Sequence, residues 1–351
     1  MFQTYDIAQT YQANYDRGPV FPGPAPAVPA TPLKSFLGLP VSSRLGIAAG
    51  LLLNGKWIRG YAERGFDLLT YKTVRSSHRP CYDLPNWVFV EPGASPEDPV
   101  TVIGRPPDDP RRISSAVCFG MPSMAPSVWR ADIAETRRAL KPGQLLIVSV
   151  VATPGDGSTP QSVAADFRQC AEWAAEAGAH VVEANFSCPN VCSSEGSIYT
   201  DPDYSRVVAR TIREGIGDMP LLIKMGYLPG ADALTSFLRA VEGAAQGVTL
   251  VNGITRPVLH ADGRPAFGKT FRAAGVLGRT IHQPSVDQVR LAASILRKHD
   301  LPLTLAAVGG VSCMEDIADF FDAGAEAVLM GSSPMYLPDL AVQAKAAHPE
   351  W

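Results

Sequence analysis

Eight short apolar runs, separated by amphipathic stretches, constrain the fold of this chain more than any other feature of its sequence. Between the runs, apolar residues recur three and four positions apart, as in Val163, Phe167, Cys170 and Ala174, and again through Met314–Ala323. This spacing is helical. Eight strand–helix units over about 250–300 residues predict an α/β fold of the (β/α)8 TIM-barrel type. The apolar runs are 45–49, 67–72, 145–150, 180–185, 221–224, 247–252, 303–308 and 327–330.

A doubly wound open sheet is the alternative fold. It requires a GxGxxG turn after its first strand, and the sequence has none there. The run 113–117 also has the character of a strand, and we place it in the long loop after the second strand. That loop, 75–112, is rich in Pro, Asp and Arg, and we expect it to lie over the barrel mouth.

The chain is predicted to have an N-terminal extension, 1–44, followed by one barrel domain, 45–351. Six prolines between positions 19 and 32 indicate a polyproline-like arm lying over a surface, or a mobile leader. No run approaches the roughly 18 apolar residues of a membrane span. A net charge of −3 gives no reason to expect nucleic acid or an anionic membrane as partner. The six cysteines lack CxxC spacing, so no metal site is indicated, and we expect a cytoplasmic protein.

Polar residues and glycines stand at the ends of the predicted strands. In a barrel of this kind the carboxyl ends of all strands meet on the face that carries the chemistry. Glycine pairs after the last two strands predict a phosphate pocket formed by backbone N–H groups. Each residue also has a plainer interpretation: turn glycines, a lysine in solvent, a buried cysteine, or an asparagine that begins a turn. The residues at the strand ends are Lys72, Ser149, Asn185, Cys188, Lys224, Asn252, Gly309, Gly310, Gly331, Ser332 and Ser333.

Several of these motifs together resemble the dihydroorotate dehydrogenase family of FMN flavoproteins, in particular its soluble class 1. The motifs are Asn-Phe-Ser-Cys-Pro-Asn at 185–190, Thr-Tyr-Lys-Thr at 70–73, Leu-Ile-Lys at 222–224, Leu-Val-Asn at 250–252 and the two glycine pairs. The similarity covers about 45–340. The run 191–202 has the length and the ending of the catalytic loop in the heteromeric branch of class 1. The membrane-bound class 2 has Ser in place of Cys188 and an amphipathic leader, and neither is seen here.

The resemblance implies a role for each matched residue. Cys188 is expected to be the general base that removes a proton from the substrate while a hydride leaves for flavin N5. Lys224 is expected beside the N1/O2 edge of the flavin. Dihydroorotate, or a similar ring, is the expected substrate, held by Lys72, Asn185, Asn190 and Asn252. The residues expected to bind FMN are Ala48, Lys72, Thr73, Asn185, Lys224, Gly275, Gly278, Gly309, Gly310, Gly331 and Ser332.

The chain also departs from the family pattern, mainly on the substrate side. Val117 stands where soluble members carry an Asn that helps to bind substrate, with Ser115 and Cys118 nearby. Ala49 replaces a Ser, Gly253 replaces a Thr or Ser, and 256–268 is an unusual insert. Oxidation of dihydroorotate, a step of pyrimidine biosynthesis, is the expected function. The alternatives are a flavoenzyme of the same fold acting on another dihydropyrimidine or ene substrate, and a non-catalytic barrel that binds a phosphate ligand. The family suggests a homodimer, and the electron-transfer partner is left open.

Overall fold

A closed barrel of eight parallel strands forms the centre of the protein, in a computed structural model that describes residues 3–93, 98–187 and 197–351. The barrel strands follow one another in the order β3, β4, β8, β9, β10, β11, β14 and β15. All eight coincide with the predicted apolar runs, so the α/β barrel is confirmed and the doubly wound sheet is excluded. In chain order the strands of the described part are β1 (Lys34–Phe36), β2 (Leu39–Val41), β3 (Leu45–Ile47), β4 (Leu68–Val74), β5 (Trp87–Glu91), β6 (Val100–Ile103), β7 (Ser114–Val117), β8 (Leu145–Val150), β9 (Val181–Asn185), β10 (Leu221–Lys224), β11 (Gly247–Leu250), β12 (Ile254–Leu259), β13 (Ala273–Gly278), β14 (Thr304–Val308) and β15 (Ala327–Met330).

Most helices lie between consecutive barrel strands and turn one apolar face inward. In α4 the buried face includes Val163, Phe167, Cys170 and Ala174, the spacing from which the helix was predicted. Its start is fixed by a capping box in which the Thr159 and Ser162 side chains accept from each other's backbone N–H groups. The helices of the described part are α1 (Tyr11–Arg17), α2 (Gly55–Ala62), α3 (Pro126–Ala139), α4 (Pro160–Glu176), α5 (Pro202–Ile216), α6 (Ala231–Val241), α7 (His282–His299), α8 (Met314–Ala323) and α9 (Leu340–Ala347).

A second, smaller sheet covers the carboxyl end of the barrel. It is a closed ring of five strands in the order β12, β13, β7, β5 and β6, and its own apolar core includes Val90, Val100, Val258 and Val276. The prediction of 75–112 as a loop was therefore wrong, because that segment contains β5 and β6. The run 113–117 does form a strand, β7, and it belongs to this sheet. The insert 256–268 supplies most of β12 and the turn that follows it.

The hairpin of β1 and β2 packs against the opposite end of the barrel interior. Phe36 and Val41 are fully buried in one cluster with Leu68, Leu145 and Val181, which lie at the starts of their strands. The barrel is therefore filled by side chains at this end, and space for a ligand is left only near the ends of the strands.

The described N-terminal residues lie on the barrel as an arm. Tyr5 is buried, and its ring centroid is 5.4 Å from that of Trp87 and 6.1 Å from that of Phe119. The Arg64 guanidinium lies 4.1 Å from the centre of the Phe21 ring and donates to the Gly23 carbonyl. These contacts favour the arm over the mobile leader for residues 3–23. The division into 1–44 and 45–351 stays a prediction. Among the described helices, none combines the length and the apolar character that a bilayer span requires.

Candidate active site

A cavity lies at the carboxyl ends of the barrel strands, beneath the five-stranded sheet. It is lined by residues of the barrel strands and of the five-stranded sheet, and it is partly open to solvent. A concave, largely apolar site with a few polar groups is typical of small-molecule binding. Cys188, Asn190 and Cys192 lie outside the described residues. The predicted site residues that the structure brings together around the cavity are Ala48, Lys72, Thr73, Asn185, Lys224, Asn252, Gly275, Gly278, Gly309, Gly310, Gly331 and Ser332.

Two lysines give the cavity its charge. Lys72 lies on β4 and Lys224 ends β10, and both are buried. No Asp or Glu among the described residues lines the cavity. Because charges interact more strongly in a poorly solvated site than in bulk water, the cavity favours an anionic ligand, or a ligand that becomes anionic during reaction.

Asn185 and Asn252 hold each other in place at the edge of the cavity. Nδ2 of Asn252 donates to Oδ1 of Asn185 at 3.3 Å and also to the Ser187 carbonyl. Oδ1 of Asn185 accepts from the Ser187 N–H at 3.2 Å. The Gly253 N–H donates to Oδ1 of Asn252 at 2.8 Å. The Asn252 side chain therefore binds the backbone of the next residue through its oxygen and the end of β9 through its nitrogen. We call this part of the cavity, together with Lys72, the amide side.

An apolar wall faces the amide side and comes mostly from outside the barrel. Val117 on β7 lies in register with Trp87 on β5 and with Gly275 on β13, and Phe119 and Met121 continue the wall. The structure thus places Val117 at the cavity. Its methyl groups lie at the position where soluble members of the family carry the side-chain amide of an Asn. Sequence reasoning missed Trp87, Phe119 and Met121, since they belong to segments whose pairing is long-range.

Arg75 anchors this wall to the barrel. The side chain is fully buried, and its Nε donates to the Met121 carbonyl at 3.0 Å while Nη1 donates to the Ala152 carbonyl at 2.5 Å. The Arg75 N–H also donates to the Ser123 hydroxyl at 3.0 Å. The segment around Met121 is therefore tied directly to the residues that follow β8.

Glycines shape the opposite side of the cavity, which we call the glycine side: Gly278, Gly309, Gly310, Gly331 and Ser332. A Cβ on Gly310 (φ 67°) would lie 2.6 Å from the Gly278 carbonyl oxygen, and one on Gly278 (φ 84°) would lie 2.3 Å from the Ile113 oxygen. Only glycine fits either position.

Gly331 differs from these two glycines. A Cβ there would meet no protein atom within 4 Å, although the residue lines the cavity, so a side chain would enter the space that a ligand needs. Glycine turns with positive φ, such as the one at Gly309 and Gly310, form concave nests of backbone N–H groups that bind anions. The glycine side therefore fits a phosphate group.

A polar layer lies inside the barrel directly beneath the cavity. Since side chains alternate along a strand, Glu183 lies below Asn185, and Thr70 lies below Lys72. Both carboxylate oxygens of Glu183 and the hydroxyls of Thr70 and Thr249 are buried, without a hydrogen-bond partner among the described residues. Buried groups of this kind are normally completed by ordered water or a ligand. Sequence reasoning missed Glu183, although its place two residues before Asn185 on a buried strand could have indicated it.

An α/β barrel with two buried lysines and several glycines at the cavity in its mouth defines a class of ligand-binding or enzymatic barrels. Comparison with known proteins identifies the family within this class. The family model for dihydroorotate dehydrogenase matches residues 118–345. A Dictyostelium discoideum protein named dihydroorotate dehydrogenase is 30% identical over 97% of this chain and 95% of its own length. The chain belongs to the dihydroorotate dehydrogenase family.

Two relatives that match a shorter part of the chain are also named dihydroorotate dehydrogenases. The catalytic subunit of dihydroorotate dehydrogenase B (NAD(+)) from Maridesulfovibrio salexigens is 30% identical over 48% of this chain and 53% of its own length. Dihydroorotate dehydrogenase A (fumarate) from Limosilactobacillus reuteri is 30% identical over 48% of this chain and 52% of its own length. The alignment therefore spans about half the length of these two relatives. The names of the homologues support an oxidoreductase that acts on a small molecule.

Proposed function

We propose that this protein is an FMN-dependent oxidoreductase that oxidises dihydroorotate to orotate. The observation that carries the proposal is the meeting of two lysines, two amides and two glycine turns around one cavity at the barrel mouth. A non-catalytic phosphate-binding barrel would not need Lys72, Lys224 and the paired amides at the same cavity, so we rank it below an enzyme.

The glycine side is suited to hold FMN. Gly309, Gly310, Gly331 and Ser332 would take the phosphate, and Ala48 and Gly275 would let the flavin ring approach the backbone. Lys224 would lie beside the edge of the ring where negative charge develops, and a fixed cation favours that charge. When bound, FMN supplies the acceptor for the hydride that leaves the substrate. The lack of a dinucleotide-binding turn supports FMN over FAD.

The amide side is suited to hold the substrate. Dihydroorotate is a ring with amide groups and a carboxylate, and Lys72, Asn185 and Asn252 offer a cation with both donors and acceptors. Asn190 would add a further amide. Cys188 would accept the proton from the ring carbon next to the one that loses the hydride. A thiol has an ordinary pKa of about 8.5, so the cysteine needs surroundings that hold its thiolate or pass its proton on.

One observation supports a second candidate function. Val117 and its neighbours make the wall opposite the amides apolar, and a polar group of the substrate that faces this wall would lose a hydrogen bond. An oxidoreductase of the same fold that acts on a less polar dihydropyrimidine or ene substrate is therefore the alternative.

The test is the visible spectrum of the purified protein, followed by anaerobic addition of dihydroorotate. We expect a yellow protein with one FMN per chain that bleaches on addition of dihydroorotate. Re-oxidation by fumarate or by NAD+ would then identify the electron acceptor. A colourless protein that fails to take up FMN on reconstitution contradicts the proposal, and rapid bleaching by dihydrouracil alone favours the second candidate.

A further inference from the structure

His282, the first residue of α7, contacts a hydrogen-bond acceptor through each of its ring nitrogens. Nδ1 lies 3.1 Å from the Gly309 carbonyl oxygen. Nε2 lies 3.0 Å from Oδ2 of Asp319 and 3.4 Å from Oδ1 of Asp316. The ring is buried, and the Phe320 ring lies at 85° to it, with centroids 5.4 Å apart.

These contacts define what the ring does for its neighbours. The Gly309 carbonyl oxygen can only accept, so Nδ1 donates to it. On the opposite side of the ring, the carboxylates of Asp316 and Asp319 hold Nε2. The ring therefore links α8 to the Gly309 carbonyl.

Asp316 is ionised in this arrangement. Burial alone raises the pKa of Asp316, but His282, hydrogen bonds from Ser312 and the Arg279 guanidinium lower it by more. Oδ2 of Asp316 accepts from the Ser312 N–H at 2.8 Å and from its hydroxyl at 2.9 Å, and Arg279 donates to Oδ1 at 2.7 Å. The carboxylate is thus fixed on both oxygens.

The His282 ring lies directly behind the glycine turn at Gly309 and Gly310. A Cβ on Gly310 would be 2.8 Å from the His282 Cβ, so the turn packs against the side chain. In a trans peptide the C=O and N–H point in opposite directions. Holding the Gly309 carbonyl toward His282 therefore turns the Gly310 N–H away from His282. Gly310 lines the cavity, so this orientation suits an anion bound there.

The charged groups around His282 come from two elements. Asp316 and Asp319 belong to α8, and Arg279 belongs to the short turn before α7. The three side chains His282, Asp316 and Asp319 have the spacing of metal ligands. However, Nδ1 of His282 already contacts the Gly309 carbonyl, and Ser312 and Arg279 already donate to the oxygens of Asp316.

We propose that His282 is a positioning residue for the cofactor phosphate. Held by Asp316 and Asp319 at Nε2, the ring fixes the Gly309–Gly310 peptide through Nδ1, so that the Gly310 N–H is turned toward the phosphate site. This rests on the proposed FMN site. The affinity for FMN should therefore depend on the contact between His282 and the Gly309 carbonyl.

The experiment measures dissociation constants by flavin fluorescence, with apo-protein, at one fixed neutral pH. FMN is compared with riboflavin, which lacks the phosphate. We expect the parent to bind FMN more tightly than riboflavin. His282→Leu should weaken FMN binding by about ten- to a hundredfold, the effect of losing a hydrogen bond to a charged group. Riboflavin binding should change little.

A further variant separates the hydrogen bond from the rest of the ring. His282→Asn keeps a donor near the Gly309 carbonyl, so its FMN affinity should lie between those of the parent and His282→Leu. His299→Asn, at the other end of α7, is the matched control and should behave as the parent.

The outcomes distinguish this inference from the proposed function. A parent that binds no FMN contradicts both. A His282→Leu variant that binds FMN as tightly as the parent, or that loses FMN and riboflavin affinity equally, overturns the role of His282 alone. Should His282→Leu fail to fold, His282→Asn decides the question. Unless His282→Asn loses affinity for FMN and keeps its affinity for riboflavin, the proposal is overturned.

Discussion

On the glycine side of the cavity the backbone sets the shape, whereas on the amide side the side chains set it. Gly278 and Gly310 have positive φ angles and leave no room for a Cβ. Behind them, His282 and Asp316 fix the turn through hydrogen bonds. A substitution here changes the path of the chain, so few residues are compatible with this side.

The amide side is formed by side chains, which can be substituted without changing the path of the backbone. Asn185 and Asn252 lie on the barrel, while Trp87 and Val117 come from the five-stranded sheet above it. Val117 can be replaced without altering a barrel strand. The comparison teaches that a change in substrate preference need not disturb the proposed cofactor site, because the proposed cofactor and substrate sites depend on different parts of the chain.

The largest effect is expected from Cys188→Ala. Loss of a general base should slow reduction of the flavin by substrate by about 10²–10⁴-fold, while FMN binding stays as in the parent. Anaerobic stopped-flow absorbance measures the first quantity and equilibrium titration the second. Cys313→Ala is a control at a cysteine outside the cavity. If Cys188→Ala reduced its flavin as fast as the parent, the base would be another residue.

The second-largest effect is expected from Val117→Asn, which supplies the side-chain amide that the family resemblance predicts at this position. Val117→Asn should raise the second-order rate of flavin reduction by dihydroorotate about ten- to a hundredfold, as expected when a hydrogen bond to a charged group is regained. Val128→Asn, on the exposed surface of α3, controls for adding an amide elsewhere. An unchanged or lower rate would show that the apolar wall does not limit dihydroorotate.

Gly331→Ala probes the glycine side without disturbing its backbone. The added Cβ meets no protein atom within 4 Å, so the melting temperature of the apo-protein should match the parent. FMN affinity should fall by about tenfold or more, since even one lost contact of about 1.4 kcal/mol has this effect. Gly104→Ala, equally unobstructed but away from the cavity, should change neither quantity. Full FMN affinity in Gly331→Ala would place the cofactor elsewhere.

The smallest expected effect is on the flavin potential, from Lys224→Met. Removing a cation from the site of developing negative charge should lower the two-electron reduction potential by roughly 30–60 mV, equivalent to about 1.5–3 kcal/mol. Reduction against a reference dye in a xanthine oxidase assay measures it. Lys298→Met, on the exposed part of α7, is the control. An unchanged potential would remove Lys224 from the site.

The barrel and most of the cavity could be predicted because the signals are local. Strand and helix periodicity is present in each short segment, and parallel closure then brings the strand ends together. The five-stranded sheet could not be predicted in this way, since β7 pairs with β13 more than a hundred and fifty positions later. Trp87 was missed for the same reason. The contacts of His282 with Gly309 and Asp319 also depend on packing, and no motif connects these residues in the sequence.

Anaerobic bleaching of the FMN-loaded parent by dihydroorotate, beside dihydrouracil, tests the central claim most directly. The account predicts stoichiometric FMN on an intact glycine side, and slow but measurable bleaching by dihydroorotate that Val117→Asn accelerates. Bound FMN that dihydroorotate reduces in neither protein, while another dihydro-ring compound reduces it rapidly, would contradict dihydroorotate as the substrate.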